Sequence, residues 1–368
     1  MCRAIREIAV EIKPEPVRYS VIVKSGLAGR VGKYISKYNP SLVVVISNPT
    51  VMGFHGKLLL DGIQDAGLKS CTVIVPDGEK YKNPEQLNYI YGEMIRAGAD
   101  RRSMVIPLGG GVIGDMGGFA AATYMRGVGY VHVPTTLLAM VDSSIGGKVG
   151  IDLLYGKNLA GAFYQPWMVF TDPSVLATLP DAEFSNGMAE VIKSAVIGSP
   201  TLFEMIEKLP IKPGNISKND LEEIIFLAGK IKADIIQADV YEKNERMKLN
   251  LGHTTGHAIE KTANFTGFSH GQAVAVGMVA AVMIAEEMGI LEDKSFYVRL
   301  EKILNKFNLP VKCPNLSPDK VHEAMNVDKK RMGGMHRFVL PVRVGCVRIV
   351  ENVNDAMVLG VIRELCKD

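Results

Sequence analysis

The chain has 368 residues, 47% of them apolar, and a formal net charge of +3. That suits one large or two ordinary domains with a sizeable core and excludes a disordered chain. Because the charge is small and no basic cluster interleaves with aromatics, nucleic acid is excluded as a partner.

Apolar β-rich runs at 19–24, 42–47 and 71–75 alternate with helix-like segments at 27–36, 51–66 and 84–97, and two more such runs follow at 104–108 and 131–134. Such alternation predicts a parallel α/β sheet covered on both faces. A last run lies at 167–172, and the character then changes: 183–197, 202–209, 221–238, 254–262 and 272–288 all read as helix, with a loop at 210–215. A boundary is therefore expected near 173–180, giving an α/β domain at 1–175 and a mainly helical domain at 176–368. Runs at 337–341 and 345–350 suggest a hairpin before one short C-terminal helix.

Five scattered cysteines (Cys2, Cys71, Cys313, Cys346 and Cys366) form no C-x-x-C pair, which fits a reducing cytoplasm. Arg3, Arg6, Glu7 and Glu11 interrupt any signal-peptide core, and the weakly polar run at 273–285 is too short to span a bilayer, so no membrane association is expected.

Two constellations carry chemistry. The strand at 104–108 runs into Gly109, Gly110, Gly111 and Gly114-Asp115, a bare turn opening a helix. Such a turn leaves helix N–H groups unpaired and lets a diphosphate approach. A second strand exit offers Thr135, Thr136, Asp142, Ser143, Ser144 and Lys148, and a third offers Glu79 and Lys82, where ligands of parallel sheets bind. In the helical half, His253 and His257 stand four apart, His270 precedes a long helix, and Glu190 and Lys193 stand three apart. Two histidines with one carboxylate are the usual protein share of a catalytic zinc site. The spacing His253-Thr-Thr-Gly-His257 lacks the glutamate base of a metalloprotease helix.

Further motifs join these: Pro76-Asp-Gly-Glu-Lys-Tyr-Lys82, Pro134-Thr-Thr-Leu-Leu138, Val141-Asp-Ser-Ser-Ile-Gly-Gly-Lys148, Gly156-Lys-Asn158, Ala189-Glu-Val-Ile-Lys193 and Leu249-Asn-Leu-Gly-His253. On them the sequence resembles the 3-dehydroquinate synthases of the shikimate pathway, within the sugar-phosphate cyclases. It is more distantly similar to the iron-type alcohol and glycerol dehydrogenases. The resemblance implies an α/β Rossmann-like N-terminal dinucleotide-binding domain and a mainly α-helical C-terminal metal and substrate domain.

It also implies a metal site, zinc or cobalt, on Glu190, His253 and His270. The implied NAD site comprises Asn48, Glu79, Lys82, Gly109, Gly110, Gly111, Gly114, Asp115, Thr135, Thr136, Asp142, Lys148 and Lys157. Substrate-handling roles would fall to Asp142, Lys148, Lys157, Asn158, Lys193, Lys232, Arg246, Asn250, His257, Lys329 and Lys330. Arg126 matches a residue that the family sends across a homodimer interface. The implied reaction oxidises 3-deoxy-D-arabino-heptulosonate 7-phosphate transiently, eliminates phosphate, returns the hydride and closes the ring by an intramolecular aldol step.

The sequence departs from the family at Asn48, where a carboxylate commonly meets the adenosine ribose, and at Met140, Val149 and Asp152-Leu153-Leu154. Alternatives are a cyclase of the 2-epi-5-epi-valiolone or 2-deoxy-scyllo-inosose synthase type and a metal-dependent polyol dehydrogenase.

Overall fold

The computed structural model describes residues 17–242, 244–264, 267–331 and 337–367. The six β-rich runs form one sheet from β1 (Ser20–Val23), β2 (Val43–Ser47), β3 (Ser70–Ile74), β4 (Met104–Gly109), β5 (Gly129–Pro134) and β8 (Met168–Thr171), in the order β1-β8-β5-β4-β2-β3. Every pairing is parallel. The four inner strands are buried throughout, whereas the edge strands β1 and β3 are partly exposed. Alternation divides the core: Val43 and Val45 pack with Leu59, Ile63 and Phe170 on one face, and Val44 and Ile46 with Ile90, Met94 and Met116 on the other.

The connecting helices are α1 (Val31–Ile35), α2 (Pro49–Val51), α3 (Lys57–Asp65), α4 (Pro84–Arg96) and α5 (Gly111–Thr123). A wider helical turn, Met52–Gly56, separates α2 from α3. From β2 the chain moves to β3 on one side, and from β4 to β5 on the other. The adjacent C-terminal ends of β2 and β4 thus mark the crevice where α/β sheets bind ligands. Between β5 and β8 an antiparallel hairpin, β6 (Lys148–Leu153) and β7 (Gly156–Phe163), lies against α5. The sequence reading did not anticipate this hairpin.

Beyond Pro173–Thr178 the chain is mainly helical: α6 (Asp181–Gly198), α7 (Pro200–Lys208), α8 (Lys218–Ala238), α9 (His253–Thr262), α10 (His270–Glu287), α11 (Phe296–Lys306) and α12 (Pro318–Arg331). The hairpin β9 (Arg337–Arg343) and β10 (Cys346–Glu351) and the helix α13 (Asp355–Leu365) complete it. Helix α10 is apolar all round because it is central, packing on α6, α9, α11, α13 and β9. Helices α11 and α12 were missing from the sequence reading. Among the described residues no helix is long and apolar enough to cross a membrane.

Candidate active site

The bare turn lies where the sequence placed it. Gly110 precedes α5 with extended backbone, and no side chain caps the helix start. A Cβ on Gly110 would press on Thr136 Cγ2 at 3.0 Å, and one on Gly111 would meet Ser143 Oγ at 3.3 Å. That Ser143 oxygen is enclosed and has no hydrogen-bond partner. An uncapped helix N-terminus, a cradle without Cβ atoms and an orphaned hydroxyl fit the diphosphate of a dinucleotide. Gly114 has another role, because its face turns to the sheet and a Cβ there would overlap the ring of His132.

Around this turn the charged candidates are paired. Lys82 is buried, and its Nζ donates to Asp115 Oδ2 at 2.6 Å and to Asn158 Oδ1 at 2.5 Å, joining the exits of β3 and β4 to the hairpin strand β7. Lys157 Nζ stands 3.8 Å from Glu79 Oε1. Thr135 is buried, and its N–H donates to the carbonyl of Gly109 at 3.0 Å. Asn48 closes β2 and caps α2, its Oδ1 accepting from the N–H of Val51 at 2.8 Å.

The second constellation is assembled by tight helix packing. Gly252, at φ 78°, opens α9, and a Cβ there would fall 2.7 Å from the carbonyl oxygen of Val274 on α10. Only a residue without Cβ meets both demands. His253 is thereby held against α10, while His270 is fixed at the first turn of α10 by a capping box between Ser269 and Gln272.

Glu190, on α6, is 1% exposed, and its Oε1 lies 3.6 Å from His270 Nε2 and 3.8 Å from His253 Nε2. One ligand atom from each of Glu190, His253 and His270 falls within 4.8 Å of the others. Both Glu190 oxygens are enclosed without a properly formed hydrogen bond, although Lys193 stands in ion-pair contact. Enclosed carboxylate oxygens facing two imidazole nitrogens form a donor set that fits a divalent ion. Burial resists charge on Glu190, yet Lys193 and the imidazoles hold its carboxyl well below the usual range. Burial, with Lys193 beside it, keeps His253 neutral. For His270 burial opposes charge, but Glu190 and Glu260 outweigh it and push the imidazole up to about 10 as long as no ion competes with the proton for Nε2.

Buried polar groups bridge the two constellations. Lys232 Nζ donates at 2.6 Å to both the backbone oxygen and Oδ1 of Asp142. Asp142 also feels Glu190 and Lys193, and Asp115 feels Lys232. Lys148 pairs with Glu242, whose Oε1 also accepts from Asn250 Nδ2 at 3.4 Å. Arg246 is buried and donates to the carbonyl of Val240 at 2.7 Å. The His257 ring lies 5.3 Å from that of His253 and 6.4 Å from that of His270.

One candidate stands apart. Arg126 is exposed before β5, at the opposite end of that strand from Thr135. The side chains of Lys329 and Lys330 lie outside the described residues. Glu260 faces His270 and was missed by the sequence reading, although it lies seven residues from His253 on one helix face.

The 3-dehydroquinate synthase N-terminal family matches residues 72–186, and the corresponding C-terminal family matches residues 187–331. A 3-dehydroquinate synthase from Dehalococcoides mccartyi is 42% identical over 348 residues, covering 94% of this chain and 96% of that protein. One from Crocosphaera subtropica is 39% identical over 360 residues, covering 97% and 98%. The structure is similar to 2-epi-5-epi-valiolone synthase from Streptomyces hygroscopicus, bound to NAD+ and Zn2+, with a TM-score of 0.86 at 25% identity and coverage of 97% and 99%. It is similar also to a 2-deoxy-scyllo-inosose synthase complexed with carbaglucose-6-phosphate, NAD+ and Co2+, with a TM-score of 0.83 at 28% identity and coverage of 94% and 96%. These matches span nearly the whole chain and both constellations, and the chain belongs to the 3-dehydroquinate synthase family.

Proposed function

We propose that this chain is an NAD- and metal-dependent carbon–oxygen lyase that converts 3-deoxy-D-arabino-heptulosonate 7-phosphate to 3-dehydroquinate and phosphate. The observation that carries the proposal is its 39–42% identity to 3-dehydroquinate synthases across at least 94% of the chain.

A bound nicotinamide dinucleotide would take and return a hydride, and a divalent ion would act as Lewis acid at the oxidised hydroxyl. Glu190, His253 and His270 would hold the ion, and the turn at Gly110 and Gly111 would hold the diphosphate. Lys193, one helical turn from Glu190, is placed to favour the deprotonated form of that hydroxyl electrostatically. The buried Lys232 and the half-buried Asp142 form a pair that would lie between cofactor and substrate, where fixed charges act without reorganisation. His257 would move protons at the far side of the triad.

A specific contact supports a carboxylated substrate over a neutral-ended sugar phosphate. Lys148 and Asn250 both engage the carboxylate of Glu242. A substrate carboxylate would replace it like for like, whereas glucose 6-phosphate offers none. Lys157, Asn158, Arg246, Lys329 and Lys330 are proposed to complete the binding of substrate carboxylate and phosphate.

Residues 1–175 are proposed as the dinucleotide domain, residues 176–368 as the metal and substrate domain, and the cytoplasm as the compartment. We place Arg126 in a homodimer contact. The six residues of β5, roughly 20 Å of strand, separate it from its own chain's site.

Following inorganic phosphate and NADH together tests the reaction. Stoichiometric phosphate from the carboxylated heptulosonate with no net NADH is expected. Turnover of sedoheptulose 7-phosphate or glucose 6-phosphate alone would transfer the chain to another cyclase class, and accumulating NADH would make it a dehydrogenase.

A further inference from the structure

His253, His257 and Glu260 follow one another at steps of four and three along α9, so all three side chains share the face turned to His270. Glu260 lies in the last turn of α9, its side chain 12% exposed. Partial burial and the negative end of a helix both disfavour a carboxylate, so a partner is needed there. The partner is the imidazole of His270, whose Nδ1 stands 3.6 Å from Glu260 Oε1. The other ring nitrogen, Nε2, faces Glu190 Oε1 at the same distance of 3.6 Å. His257 and Lys157 also face Glu260.

A neutral imidazole carries one N–H and one lone pair, and the hydrogen bond at one nitrogen decides which role the other takes. We propose that Glu260 is a positioning residue: it accepts the Nδ1 proton of His270, fixing that tautomer and ring plane, and leaves the Nε2 lone pair directed at the space beside Glu190 and His253. This rests on the metal reading given above. Glu260 needs no contact with substrate or ion to act, and its effect is read in the affinity and geometry of ion binding.

The test is metal binding by the stripped full-length protein. Zinc affinity is measured by chelator competition, and the ligand field by the visible absorption of the Co2+-loaded protein. Glu260→Met, of similar length without an acceptor oxygen, should weaken Zn2+ and Co2+ roughly 10–100-fold and alter the Co2+ spectrum. NAD binding at the glycine turn that opens α5 should be unchanged, which certifies the fold. Glu260→Gln keeps an acceptor oxygen and should recover part of the loss. Zinc affinity within about twofold of wild type in Glu260→Met, with an unchanged Co2+ spectrum, overturns the proposal. Equal losses for Met and Gln variants that still bind NAD also overturn it, because charge rather than proton acceptance would then be responsible. If Glu260→Met fails to bind NAD, Glu260→Gln and Glu260→Ala decide by the same comparison. A wild-type chain that binds neither ion defeats the metal reading itself, a result distinct from any difference between variants.

Discussion

The imidazole of His132, on β5, fills the space that a side chain on Gly114 of α5 would need. Gly114 therefore belongs to the helix–sheet contact beneath the ligand, although its spacing from Gly109 and Gly111 reads as part of a dinucleotide fingerprint. Gly114→Ala should destabilise the chain by about 1–3 kcal/mol through overpacking without removing any group that faces a ligand. A smaller residue at position 132 should recover much of the loss, so the double variant Gly114→Ala/His132→Ala should be strongly non-additive in chemical denaturation. Additive losses would mean that the two residues do not share this space.

His132 also sets a pH dependence. It is buried, its Nε2 has no hydrogen-bond partner, and desolvation brings it down to about 4. The folded value lies below the unfolded value of about 6.5, so the unfolded chain binds the extra proton. No penalty exists above pH 6.5. It grows as pH falls toward 4 and then levels off, at about 3 kcal/mol for a shift of this size. Denaturation midpoints of wild type and His132→Leu should thus diverge between pH 6.5 and 4, the wild type losing more. Parallel profiles would show that His132 is hydrated or partnered in solution.

Metal content separates the three histidines. Alanine at position 253 or 270 should abolish bound metal and turnover together. Alanine at position 257 should leave most of the metal and slow turnover ~100-fold, as expected for loss of a proton-transfer group. Elemental analysis of the dialysed variants, with turnover in excess Zn2+ or Co2+, measures both. Full occupancy in the His253 variant would remove that residue from the ligand set.

Asn48 caps α2 through its side-chain oxygen, a role that aspartate fills equally well. Asn48→Asp should therefore leave the thermal midpoint nearly unchanged. If the side chain also reaches the adenosine ribose, the charge should tighten NAD by about 1 kcal/mol, roughly fivefold, and disfavour NADP. Calorimetric titration with both cofactors is the check. Equal affinities in both variants would confine position 48 to capping.

Arg126 can be tested by complementation. A dimer with Arg126→Ala in one subunit and His253→Ala in the other keeps one intact site if Arg126 acts across the interface. Co-expressed variants, each inactive alone, should then recover about a quarter of wild-type activity, because half the dimers are mixed and each has one working site. No recovery would place the function of Arg126 within its own chain or remove it.

The sheet was legible because each strand is a β-branched run closed by Gly, Pro, Asn or Ser, and the inner strands are buried on both faces. The hairpin β6–β7 was not, since its outer residues Asn158, Leu159 and Phe163 are exposed and glycine-interrupted and carry no alternating apolar pattern. Helix α11 could have been found: Phe296, Leu300, Ile303 and Leu304 are its buried face at helical spacing. The metal candidates were legible as residue types and order, but spacing could not bring Glu190 to His253 and His270. Backbone approach does so, through Gly252 against α10 and through Asn186 on α6, whose Oδ1 accepts from the N–H of Gly271 at 2.5 Å. His132 was passed over because one histidine inside an apolar strand looks like core, and in packing it is core. Val149 likewise is packing, its Cγ1 filling the space that a Cβ on Gly118 would need.

The pairs that stitch the site together join residues far apart along the chain: Lys82 to Asn158 across 76 positions, and Asp142 to Lys232 across 90. Closing such spans takes entropy that is recovered only when these polar groups meet, so these contacts belong late in refolding. Helices such as α8 can form first from their own sequence. During refolding, helical circular dichroism should return ahead of NAD binding, and the nascent chain stays without a complete metal site until the segment bearing His270 has been made. A partly made chain therefore cannot hold the ion beside the cofactor, since the three ligand candidates come together only once α6, α9 and α10 have packed.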